Sequence, residues 1–214
     1  MDLLTLATYA AIAFVVVMIV RAVVRALRWE KQEREGAGEW AAENGWGFVS
    51  SEPSLVHQWH VYPIRGEGTA TQVLTTTLAG QHVSSFWYQQ SGGFGGGKAQ
   101  HMITVRLKAW VPTVILVPAA QAMRFPKLTP VPQPDETFNV SWTVLAEDES
   151  TAAARKAVTA EFRRSLSSAQ FASDVHSLVL HDRGLLLTLR SPRDLTTLTG
   201  QVDTASALAS SLAL

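Results

Sequence analysis

Residues 101–117 read HMITVRLKAWVPTVILV, and the fold turns on how this stretch is parsed. In its first half Ile103, Val105 and Leu107 alternate with Met102, Thr104, Arg106 and Lys108, the period-two pattern of a strand with one buried face. Thr113–Val117 is a continuous apolar run between Pro112 and Pro118, which reads as a separate, fully buried strand. Working outward, 69–78 and 82–90 are rich in Thr, Val and aromatic residues and flank Ala79-Gly80-Gln81, a hairpin pattern. Gly45–Val49 reads as a first short strand, and Phe138, Val140, Trp142 and Val144 alternate in a later one. His176–His181 and Leu185–Arg190 read as a second hairpin around Asp182-Arg183-Gly184. Phe125–Asp135 carries Pro126, Pro130, Pro132 and Pro134, so an extended surface loop is expected there.

Helical periodicity occupies the gaps. Ser51-Glu52-Pro53 opens a short helix with Leu55, Val56 and Trp59 on its apolar side. From about Ser150 to Leu166, Ala154, Val158, Phe162 and Leu166 recur every four residues. The last helix is expected to be capped by Ser191, with Pro192 in its first turn and Leu195, Leu198, Val202, Ala205, Leu208 and Leu212 on one face. Long alternation of strand, helix and parallel strand is missing. The expected fold is α+β over residues 36–214, a mostly antiparallel sheet packed with helices. Trp40, Trp46, Trp87, Trp110 and Trp142 fall near strand or helix faces, where core packing is the ordinary reason for tryptophan.

The first residues differ in kind. Residues 3–20, LLTLATYAAIAFVVVMIV, carry no charge. As a helix they are about 27 Å long, close to the thickness of a bilayer's hydrocarbon core. No Lys or Arg precedes the run, which argues against a cleaved signal peptide. Arg21, Arg25, Arg28, Lys31 and Arg34 follow it, so the positive-inside rule puts the N-terminus outside and the rest in the cytoplasm. Arg21, Arg25 and Trp29 are then the membrane-interface residues. The expectation is a single-pass anchor and juxtamembrane helix over residues 1–35 at the inner (plasma) membrane, followed by a cytoplasmic domain.

Composition narrows the function classes. Lys+Arg and Asp+Glu are both 18 in 214 residues, and this zero balance argues against a nucleic-acid partner. With no cysteine, disulfides, thiolate metal sites and thiol nucleophiles are excluded together. Gly92–Lys98 reads GGFGGGK, but Ala99 stands where a phosphate-binding loop needs Ser or Thr, and a strand rather than a helix is expected next. It reads better as a hairpin loop presenting Phe94. His57 and His60 could share a metal on one helical side, with His176, His181 or Asp182 as a third ligand. No recognisable spacing supports that, and ordinary surface histidines explain them. No catalytic residue, metal ligand or cofactor-binding residue is therefore nominated, and no cofactor is expected. Arg155, Lys156, Arg163 and Arg164 make the middle helix basic, suited to anionic headgroups. A solvated face balanced by Glu147, Asp148, Glu149 and Glu161 explains the same charges.

Four short segments carry a resemblance: Ala41-Ala42-Glu43-Asn44-Gly45-Trp46; Pro63-Ile64-Arg65-Gly66-Glu67-Gly68; Val73-Leu74-Thr75 through Gly80 and Val83 to Phe86-Trp87-Tyr88; and Phe138-Asn139-Val140. In this order they resemble an uncharacterised family of actinobacterial membrane-anchored proteins, classed among the domains of unknown function. Thr69 and Thr76 stand where that pattern has glycine. The resemblance implies the anchor and the order of elements, and carries over no activity and no functional residue. The functional expectation is a non-enzymatic accessory or scaffold protein whose partners are the lipid bilayer and another membrane-associated protein. Respiratory assemblies and cell-envelope lipid exporters are examples of such complexes. Candidate contacts are Phe94, Arg155, Lys156, Arg163 and Arg164. The alternatives are a lipid- or small-ligand-binding domain at the inner membrane face and, third, a metal-dependent enzyme.

Overall fold

The computed structural model describes residues 14–21, 35–64, 67–90, 99–169 and 172–212. The chain divides into two compact units, Met1–Trp40 and Ala41–Leu214. In the first unit residues 14–21 are helical, and Phe14 to Val20 are exposed. Arg21 ends that stretch, also exposed, whereas Arg25 and Trp29 lie outside the described residues. Among the described residues no helix is long and apolar enough to cross a membrane, and most of the apolar run 3–20 lies outside them.

The second unit has the expected α+β architecture. Its elements are β1 (Gly47–Ser51), α1 (Ser54–His57), β2 (Thr69–Leu78), β3 (Gln81–Gln89), β4 (Gln100–Pro118), β5 (Thr129–Pro130), α2 (Glu136–Ser141), β6 (Trp142–Ala146), α3 (Thr151–Ala157), α4 (Ala160–Ser168), β7 (Val175–Leu189) and α5 (Leu195–Ser210). All the described pairings are antiparallel. The order is β1-β2-β3-β4-β6-β5, with β7 along the other edge of β4. The β2–β3 hairpin turns at Ala79 and Gly80, both at positive φ (49° and 77°), as a two-residue turn matched to strand twist demands.

The two halves of the 101–117 stretch are one strand, not two. β4 runs on through Pro112, pairing with β3 by its first half and with β6 by its last residues. The expected hairpin around Asp182 is likewise a single strand: β7 lies beside β4 from His101↔Leu189 to Leu116↔Leu178. The polar triplet 182–184 mimics a turn because the two strands bulge there together. Register shifts occur between Arg106 and Val111 and again before Val114, and Asp182 has φ of +50°.

Other boundaries also move. Phe138 lies on α2 rather than on a strand, because Asp135 caps that helix by accepting the Phe138 N–H at 3.1 Å. The strand begins only at Trp142. The single helix expected after Ser150 breaks at Val158, and Thr159 restarts it by accepting the Phe162 N–H at 3.0 Å. The face nonetheless survives, since Ala154, Val158, Phe162 and Leu166 are all buried. The last helix starts later than Ser191: Asp194 is the cap, accepting the Thr196 N–H at 2.9 Å. The Pro-rich segment contributes the two-residue β5, and Val131 donates to the Val144 carbonyl at 2.8 Å.

The segments that carry the family resemblance are structural devices. Gly45, at φ +72°, follows a helix over residues 35–43 and ends it, and the Trp46 N–H reaches back to the Ala41 carbonyl at 2.8 Å. The Tyr88 hydroxyl donates to the carbonyls of Ile64 (3.2 Å) and Glu67 (2.8 Å), tying these two residues to β3. The Asn139 side chain and the Gln133 backbone exchange two hydrogen bonds, at 2.7 and 3.1 Å.

Helices α3 and α5 pack on the central strand β4. Val56, Trp59, Ile64, Phe86, Met102, Val179 and Leu186 belong to one buried cluster, against which Leu55, Val61, Tyr62, Phe125 and Leu128 also pack. Helix α1 with the chain up to Ile64, and residues 122–128, thus help to close the core around the sheet.

Candidate functional site

The shared bulge of β4 and β7 opens a groove of about 640 Å³. Its walls come from Leu55 of α1 with Gln58 and Trp59 just after it, from His82 and Ser84 of β3, from Thr104, Val105, Arg106 and Trp110 of β4, and from the 181–184 bend of β7. The strand register explains its position. Arg106 pairs with Gly184 and Val111 with Asp182, so four β4 residues between them face a single β7 residue. The surplus backbone buckles outward and carries Trp110 with it.

Trp110, expected from the sequence to pack in the core, is instead 65% exposed. Its indole N–H donates to Asp182 Oδ1 at 3.2 Å, which latches one bulge to the other. Asp182 Oδ2 lies 3.6 Å from His181 Nε2, and His181 Nδ1 lies 2.8 Å from the Thr113 hydroxyl. Beneath them Trp59 is buried, its ring 6.3 Å from that of His181. A Cβ on Gly184 would meet Trp59 Cη2 at 2.6 Å, so only glycine lets β7 pass the indole at this distance. Gln58, His82, Arg106 and Arg183 are exposed around the rim. The buried Trp59 Nε1 and Ser84 Oγ have no hydrogen-bond partner among the described residues.

A second polar cluster is enclosed. Gln72, at φ +50° in a bulge of β2, offers its carbonyl and its side-chain oxygen to the Arg193 guanidinium at 2.7 and 2.8 Å. Arg193 lies 5.7 Å from the Trp87 ring centroid, a cation–π distance. His101 sits beside Trp87 with Nε2 3.0 Å from Ser85 Oγ. Burial, aided by the Arg193 charge, pushes His101 down to about 3, so it is a neutral imidazole at physiological pH. The cluster ties the segment before α5 to β2.

The residues nominated from sequence are not gathered in either place. Phe94 lies outside the described residues. Arg155, Lys156 and Arg164 are exposed on α3 and α4. Arg163 is buried, donating to the Val158 carbonyl at 2.7 Å and to Gln133 Oε1 at 3.3 Å, which makes it a tie rather than a headgroup contact. His57 and His60 are exposed, whereas His176 bonds the Tyr62 hydroxyl at 3.1 Å and His181 bonds Thr113. Among the described residues no cluster of three or more His, Asp or Glu could hold a metal ion. The groove was hidden by reading Trp110 as core and 182–184 as a tight turn. Its sequence signal is the break in alternation at Ala109-Trp110 facing that polar triplet.

No family model and no curated protein sequence matches the chain. A solved structure does: the crystal structure of the mycobacterial trehalose monomycolate transport factor A, TtfA, covers 83% of this chain and 93% of its own at a TM-score of 0.63 and 14% identity. The two proteins therefore share an α+β fold over nearly the whole of that domain.

Proposed function

We propose that this chain is a non-enzymatic accessory factor of cell-envelope lipid transport, held at the inner (plasma) membrane by residues 3–20 with its α+β domain in the cytoplasm. The fold shared with the mycobacterial transport factor carries this reading. The uncharged N-terminal run and the basic residues after it supply the anchor and its orientation. The partner is another membrane protein of the same transport machinery, reached through the anchor, the domain or both. Small residues at Ala7, Ala10, Ala11 and Ala13 would let a neighbouring helix approach closely. Depleting the protein in its native cell tests the reading. Newly made envelope lipid should accumulate on the cytoplasmic side while its synthesis continues. Unchanged lipid distribution on full depletion contradicts it.

One observation favours a second reading, a small-ligand-binding domain at the same membrane face. The groove's volume falls in the range of small-molecule sites, and polar groups converge on it.

A further inference from the structure

We propose that the groove between Trp59, Trp110 and the Asp182–Gly184 bend binds a saccharide, either free or as the head of a glycolipid. The inference rests on the second reading above and names its ligand. Its first support is the Trp110 indole. It is exposed, yet its edge is pinned to Asp182, so a flat apolar face is held open beside polar groups. Such a face matches the C–H side of a pyranose ring, whose hydroxyls point outward around the edge.

The rim supplies partners for those hydroxyls. Each sugar hydroxyl both donates and accepts, and the rim offers both roles: donors only from Arg106 and Arg183, an acceptor carboxylate in Asp182, and a mixed amide in Gln58. The wall includes Trp59 and Ser84, residues only 3% and 1% exposed, whose Nε1 and Oγ are buried without hydrogen-bond partners among the described residues. Buried polar groups left unpaired are costly, so this wall favours a hydroxylated neighbour over an apolar one. An acyl chain would offer none of these polar groups a partner. Two guanidiniums against one carboxylate make a small anion the rival ligand.

The test is calorimetric titration of the full-length chain in a detergent without a sugar headgroup. The probes are trehalose, maltose and inorganic phosphate. Saturable one-to-one binding of a disaccharide is expected, weakened at least tenfold by Trp110→Ala, whose exposed side chain can be removed without unfolding the core. A thermal melt matching that of the parent confirms the variant's fold. No saturable binding of either sugar, or binding indifferent to Trp110→Ala, overturns the proposal. Phosphate binding alone also overturns it while leaving the ligand-groove reading standing, and silence from all three probes removes both.

Discussion

His101 stands at the first residue pair between β4 and β7, enclosed with Ser85, Trp87 and the Arg193 guanidinium. Its buried position makes it a stability sensor. The unfolded chain takes up a proton on this histidine near 6.5, but the folded chain does so only near 3. Between those values the unfolded state binds more protons, so stability falls as the pH falls through this window. The expected slope from this side chain is about 1.4 kcal/mol per pH unit below pH 6. His176, also held below its ordinary value by burial and by Arg190 and Arg124, adds in the same direction. Urea unfolding at pH 7, 6 and 5 checks this: His101→Gln should remove much of the slope while His176 leaves a remainder. An unchanged slope would show that the imidazole is reached by water in the folded state. None of this was legible beforehand: the alternation at 101–108 predicts one buried face, whereas Met102 and Thr104 on the other face are buried along with His101, Ile103 and Val105, and no pattern shows that a histidine and an arginine meet there.

The elements were more legible than their joins. Composition and turn residues located β2 and β3, alternation the first half of β4 and an unbroken apolar run its second half, and the four-residue spacing found the buried face of α3 and α4 across their break at Val158. Hydrophobic pattern reports burial, which persists across a helix break because Thr159 restarts the helix with the same face inward. What pattern does not report is partner choice. Leu178 and Leu187 look like members of one hairpin, yet each pairs with β4, since a strand as long as β4 offers more backbone pairing than a tight turn would. The groove arises from this hidden joint bulge, which explains why its residues were scattered among the core, turn and metal readings. Glycine substitutions probe the geometry directly. In α5, Gly200→Ala meets open space and should stabilise the domain by about 1 kcal/mol. Gly184→Ala pushes into the Trp59 indole and should destabilise it by about 1–3 kcal/mol. Chemical denaturation of the two variants side by side reads the opposite signs; equal effects would contradict the close passage of β7 over Trp59.

For the whole molecule, the domain and the N-terminal segment pose separate questions. The domain shares an α+β fold with the mycobacterial TtfA crystal structure and has a core closed by helices and connecting chain around one sheet. The segment 3–20 has the length and apolarity of a span, and a basic flank follows it. An accessory role at the membrane requires both to act in one protein. The most direct measurement is affinity purification of the full-length chain from native membranes in mild detergent, beside a Val16→Arg, Val17→Asp double variant that spoils the apolar run. The predicted result is a parent that sediments with membranes and elutes with a stoichiometric integral membrane protein, and a double variant that does neither. A parent that sediments with the soluble fraction, or elutes alone and monodisperse, contradicts the account.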